Sequence, residues 1–211
     1  MTFYSENLAK VNQIVNSSFF RAFLTPQIDE GEGFPLRYKL WWSNLLLETH
    51  QMRRMKDKFK LIGTKIAEFS LPNSRGETRS ISEFSGKNVV IILLRGIQWP
   101  YCRGHLSSLA ANYEKYQELN TELYTITADK LENAQKLETK YAKGKFPVYY
   151  DEAGDTVKLL RQEWKVLKLG RMPGLLVIDK NGIIQYAYYS DSMSDIPKNE
   201  VLFEAIKKIP N

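Results

Sequence analysis

Six consecutive apolar residues, Val89-Val90-Ile91-Ile92-Leu93-Leu94, constrain the fold of this chain more than any other segment. A continuous run rich in β-branched side chains fits a strand buried on both faces, in the middle of a sheet covered by helices. The run stops at Arg95-Gly96. A helical pattern opens near Pro100, with Leu106, Leu109, Ala110, Tyr113 and Tyr116 at three- and four-residue steps.

The segments on either side extend that alternation. Ala67 to Pro72 reads as a short edge strand, and Asn73-Ser74-Arg75-Gly76 as a turn. Glu122–Thr127 is a second core strand, followed by a helix over 131–141, a short strand over 148–151 and a short helix from Thr156 to Trp164. Leu175–Asp179 is a further strand. Asn181-Gly182 turns it tightly into Ile183–Tyr189, and a last helix covers 199–208. Alternating strands and helices with a closing hairpin predict an α/β domain with a mixed central sheet flanked by helices.

Residues 1–60 read as a helical N-terminal extension to the domain at 61–211. Phe3, Leu8, Val11, Ile14, Val15 and Phe19 fall at roughly helical spacing, and Pro26, Gly31, Gly33 and Pro35 mark a loop. A second helical stretch runs from Leu36 to about Lys60. Its end carries Arg53, Arg54, Lys56, Lys58 and Lys60 against Asp57, which reads as a solvated charged face, the alternative being an amphipathic segment that docks on an anionic membrane or on nucleic acid.

The chain's single cysteine excludes an internal disulfide, and with only two histidines a metal site is not expected. A lone thiol suits a reducing compartment. The first 15 residues lack a basic start followed by an apolar run, and no stretch approaches the ~18 apolar residues of a membrane span. The expectation is a soluble cytoplasmic protein. A formal charge of +6 is too mild to imply nucleic acid, and no aromatic interleaving supports it.

Cys102 falls in the first turn of the helix after the buried strand. Helix N-termini carry exposed N–H groups and partial positive charge, which favour a thiolate. Arg103 is adjacent and Arg95 ends the strand, so the position suffices for a reactive thiol. An inert, core-lining cysteine is the plain alternative. His105, three residues on, could tune the thiol or be an ordinary helix residue.

Arg95-Gly96, then Pro100-Tyr101-Cys102-Arg103, resembles the Arg-Gly-x-Trp-Cys-Pro-Tyr-Cys-Arg segment of thioredoxin-fold, peroxiredoxin-like proteins of the alkyl hydroperoxide reductase and thiol-specific antioxidant group. The first cysteine of that CxxC is Trp99 here. Ile66–Pro72 is similar to the family's opening segment, Ser82–Lys87 to its turn before the core strand, and Met172–Gly182 to its later strand and hairpin. Tyr188–Asp191 and Asp195-Ile196-Pro197 resemble its closing signature. The resemblance implies a thioredoxin-like fold, a cis bond before Pro173 with that proline facing Cys102, and a pocket formed by Trp99, Pro100, Tyr101 and Pro173.

Departures from the pattern matter. The peroxiredoxin proline and hydroxyl residue, seven and three positions before the cysteine, are Arg95 and Trp99 here. Pro173 stands where the family's arginine precedes the later strand. Three functions follow. One is a one-cysteine peroxidase with Cys102 as nucleophile, Arg103 or Arg95 stabilising thiolate and peroxide, no cofactor, and glutathione or a thioredoxin-like protein as external reductant. Another is a lapsed thioredoxin-fold binding protein. The third is a thiol transferase or redox sensor working through a mixed disulfide. The N-terminal extension leaves a homodimer open.

Overall fold

The computed structural model describes residues 57–210. The apolar run forms β3 (Asn88–Leu94) at the centre of a five-stranded sheet. Its parallel neighbour is β4 (Thr121–Thr127), and beyond that lies the parallel β5 (Val148–Tyr150). On the other side β8 (Gly174–Ile178) and β9 (Ile184–Tyr189) run antiparallel, joined by a turn in which Gly182 adopts φ +77°. Glycine meets that left-handed requirement without a Cβ clash.

Two-residue alternation divides β3 between two cores. Val90, Ile92 and Leu94 face one layer, built from α1 (Pro100–Ala111), α2 (Tyr113–Glu118), α3 (Leu131–Leu137) and α5 (Asn199–Lys207). Val89, Ile91 and Leu93 face the other, with Phe69, Leu71, Ile81, and Val157 of α4 (Asp155–Leu159). All six side chains are at most 1% exposed. Each such burial contributes about 1.5–3 kcal/mol relative to exposure, which sets the sheet's centre here.

The elements depart from the sequence reading where side chains compete with local propensity. The opening strand is shorter than expected: β1 (Ser70–Pro72) pairs only with β2 (Thr78–Ser80), in a separate ribbon around the Asn73–Gly76 turn. The helix over 131–141 is α3 followed by a π-helical turn, Glu138–Ala142. Buried Glu138 closes this turn against the sheet, accepting hydrogen bonds from the Ser74 hydroxyl and, at 2.7 Å, from Arg75 Nε.

The helix expected from Thr156 to Trp164 ends at Leu159. Arg161 takes a left-handed φ of +60°, which turns the chain out of the helix. A small hairpin replaces the helix's second half: β6 (Trp164–Lys165) pairs with β7 (Gly170–Arg171) across a 3-10 turn at Val166–Lys168. The expected helices over 1–60 lie outside the described residues, except for their last four positions. These form a turn in which the Asp57 carboxylate accepts the N–H groups of Leu61 and Ile62 at 2.9 and 3.0 Å, so the helix does not reach Lys60.

Candidate functional site

The site forms where β3 leaves the sheet. Its carboxyl end faces the start of α1, with Trp99 as the N-cap residue and Pro100 in the first helical turn. Proline suits that turn because its missing N–H would have no helical partner there. This geometry carries Cys102 back over the strand end, and the Arg95 N–H donates to the Cys102 sulfur at 3.3 Å.

Cys102 is only 1% exposed. Burial pushes its thiol pKa up, against the opposing pull of the Arg95 and Gly96 N–H groups and of the Arg95 charge. The sequence expectation of a thiol acidified by its helix end is therefore reversed in this closed arrangement. Desolvation of the anion outweighs the donors around it.

Arg95 is the second member of the site. Its side chain is 6% exposed and stacks on the Trp99 ring, the guanidinium carbon 3.6 Å from the ring centre. Nη2 donates to the Lys168 carbonyl at 2.7 Å, whereas Nε and Nη1 are buried with no partner among the described residues. Burial pulls the guanidinium pKa down and the nearby sulfur opposes it. A planar cation with two idle nitrogens in a dry place can bind an oxygen atom carrying negative charge.

The remaining expected residues divide. Trp99 belongs to the site through its stack on Arg95, and Pro100 and Tyr101 lie on the exposed side of the helix start, Tyr101 53% exposed. The Arg103 guanidinium sits 5.9 Å from the centre of the Tyr141 ring, and among the charges acting on the sulfur only Arg95 figures. His105 has its Nε2 buried and unpartnered, and burial pulls its pKa down to about 4.

Pro173 corrects the expected backbone. No cis peptide bond occurs among the described residues, so Met172–Pro173 is trans. Hydrogen bonds hold this peptide on both sides. The Met172 N–H donates to Glu163 O at 2.8 Å, Met172 O accepts from Gln162 Nε2 at 3.0 Å, and Pro173 O accepts from Ser190 N–H at 3.0 Å.

Gln162 was not legible as a site residue. Its Nε2 also donates to Leu94 O at 3.1 Å, tying the end of β3 to the entry of β8. Its Oε1 is buried without a partner among the described residues, as is the hydroxyl of Thr127, which pairs with Leu94 in the sheet register. Gln162, Thr127 and Arg95 thus each carry an unsatisfied polar atom near the end of β3. Carboxyl ends of strands are where open α/β sheets place ligands.

Comparison with known proteins bears on the same segment. The AhpC/TSA family model matches residues 62–187, from before β1 to the middle of β9. The chain belongs to the AhpC/TSA family. Chloroplastic peroxiredoxin Q of Oryza sativa subsp. japonica is 30% identical over 130 residues, covering 60% of this chain and 58% of that one. Peroxiredoxin Q of Sedum lineare is 31% identical over 130 residues, covering 60% and 67%. The chain thus spans about three-fifths of the length of the rice relative.

Among solved structures, the peroxidoxin BcpB from Mycobacterium tuberculosis superposes with a TM-score of 0.62 at 18% identity, covering 71% of this chain and 98% of that one. A yeast mitochondrial 1-Cys peroxiredoxin gives 0.61 at 15% identity, covering 69% and 74%. At these identities the likeness establishes the thioredoxin-like fold of the family.

Proposed function

We propose that this AhpC/TSA family member is a thiol-dependent peroxidase working with Cys102 alone. The observation that carries the reading is the buried Arg95 guanidinium, with two unpartnered nitrogens, within electrostatic reach of the Cys102 sulfur. In the reaction a hydroperoxide enters the site, Cys102 gives up its thiol proton, and the thiolate so formed attacks one oxygen of the hydroperoxide. An S–O bond forms, the O–O bond breaks, and the departing alkoxide takes a proton to leave as alcohol or water. Arg95 stabilises the negative charge that builds on the leaving oxygen. Trp99 stands in place of a hydroxyl residue, so the guanidinium supplies the donors.

The oxidised sulfur is then a sulfenic acid, and the chain holds no second cysteine to resolve it. An external thiol condenses with it, releasing water and leaving a mixed disulfide, which a further thiol reduces. Glutathione and thioredoxin-like proteins are the reductant classes. The yeast mitochondrial 1-Cys peroxiredoxin is described as resolved via the glutathione and thioredoxin systems. A lone thiol fits a reducing compartment, and the reading keeps the cytoplasm, although the plant relatives are named chloroplastic. Residues 1–60 are read as a separate extension, and a homodimer as compatible with it.

The near-complete burial of Cys102 favours a second reading, a lapsed redox domain that binds a partner. Peroxide consumption with glutathione or thioredoxin as reductant separates the two. Turnover by the wild type that Cys102→Ser abolishes is the expected result. Absence of turnover with every reductant, or turnover unchanged in Cys102→Ser, removes the peroxidase assignment.

A further inference from the structure

Of the seven large apolar side chains exposed among the described residues, five lie between Leu159 and Leu169. Trp164, Val166, Leu167 and Leu169 are 64, 77, 96 and 80% exposed, all on the β6–β7 hairpin. A cluster of this kind on one protrusion marks an interaction surface rather than scattered surface apolarity.

Two features indicate what meets it. The first is charge. Between residues 158 and 171 stand Lys158, Arg161, Lys165, Lys168 and Arg171 against Glu163 alone. The Glu163 carboxylate is engaged by Lys58 at 2.8 Å and Lys165 at 3.6 Å. Lys168 at the tip, and Lys158 and Arg161 just before the hairpin, form no ion pair with a described residue, while Lys165 is shared between Glu163 and Asp191, so the segment that carries the apolar tip is net cationic. The second is the backbone of Leu169. Its φ of +55° is the left-handed conformation that asparagine or glycine takes with less strain, yet the position carries a bulky side chain turned to solvent. Packing within the domain gains little from that leucine.

We infer that the β6–β7 hairpin docks on an anionic lipid bilayer, its apolar tip entering the interface and its cations meeting the headgroups. Interfacial binding draws on both terms, buried apolar area and attraction to anionic lipid, and tryptophan suits the headgroup level. A second copy of this chain is the poorer occupant, because its cationic rim would face another. The Lys168 carbonyl, in this tip, accepts the hydrogen bond from Arg95, so docking brings the Cys102 site beside the membrane.

The test is vesicle co-sedimentation of the full chain, which reads binding independently of any turnover. Binding is expected to vesicles of equal phosphatidylserine and phosphatidylcholine, and to be about tenfold weaker to phosphatidylcholine alone. The double variant Leu167→Ser/Leu169→Asn keeps every charge and suits the left-handed position, and is expected to bind about tenfold more weakly, with an unchanged circular dichroism spectrum. Wild type that stays off anionic vesicles overturns the inference. So does a double variant that binds as well as wild type, which would put the contact elsewhere on the chain. Sedimentation velocity showing a dimer that the double variant dissolves would give the tip to a second copy.

Discussion

The backbone N–H of Arg95 donates to the sulfur of Cys102 at 3.3 Å, across seven residues of sequence. The bond joins the residue that follows buried β3 to the first turn of a helix. It also puts the Arg95 side chain, stacked on Trp99, within electrostatic reach of the sulfur. One segment therefore brings together the sulfur, the cation and the ring that covers it.

Arg95→Met separates chemistry from folding. Loss of an oxyanion-type donor costs about 10²–10³ in rate, so peroxide turnover should fall by that order. Stability should change by no more than about 1 kcal/mol, because the variant also removes a buried charge with two unsatisfied nitrogens. The thiol pKa should rise further, since the guanidinium favours the thiolate. Urea unfolding and pH-dependent alkylation measure the last two effects. A large loss of stability with turnover retained would make Arg95 structural.

His105 gives a pH dependence with a defined sign. Burial pulls its folded-state pKa down to about 4 from 6.5, so the unfolded chain binds the extra proton between those values. The contribution to stability is complete above about pH 6.5 and is lost as pH falls toward 4, on the order of 3 kcal/mol. His105→Leu cannot titrate, and its stability should decline less over that window. Parallel acid limbs for the two proteins would refute the assignment.

Gln162 ties two strand ends together. Gln162→Leu leaves the carbonyls of Leu94 and Met172 without that donor, and should cost about 2–3 kcal/mol in urea unfolding. Peroxide turnover should drop as well, because Leu94 precedes Arg95. An unchanged unfolding midpoint would show that other groups satisfy the two carbonyls.

These contacts also show what the sequence could disclose. The run Val89–Leu94 announces a two-sided strand because all six positions are apolar, and Asn181-Gly182 announces the hairpin because only certain residues turn there cheaply. The lone Cys102 at a strand-to-helix junction is visible for the same local reason. Segment 160–171 was not legible. Leucine and lysine favour helix, and what stops it is the left-handed turn at Arg161 together with a Gln162 side chain bonded to strand ends 68 and 10 residues away. The trans bond at Pro173 lies within that same bracket. The raised thiol pKa was equally hidden, since helix position and neighbouring arginines argue for acidity while burial depends on the whole fold.

The most direct test of the account is the rate at which Cys102 gains one oxygen from hydrogen peroxide, followed by mass spectrometry and compared with free cysteine at the same pH. The account predicts oxidation at least about tenfold faster than the free thiol, a lowering of the barrier by about 1.4 kcal/mol or more, with most of the advantage lost in Arg95→Met. A Cys102 that oxidises no faster than free cysteine would contradict it, and would leave the fold as the carrier of a buried, inert thiol.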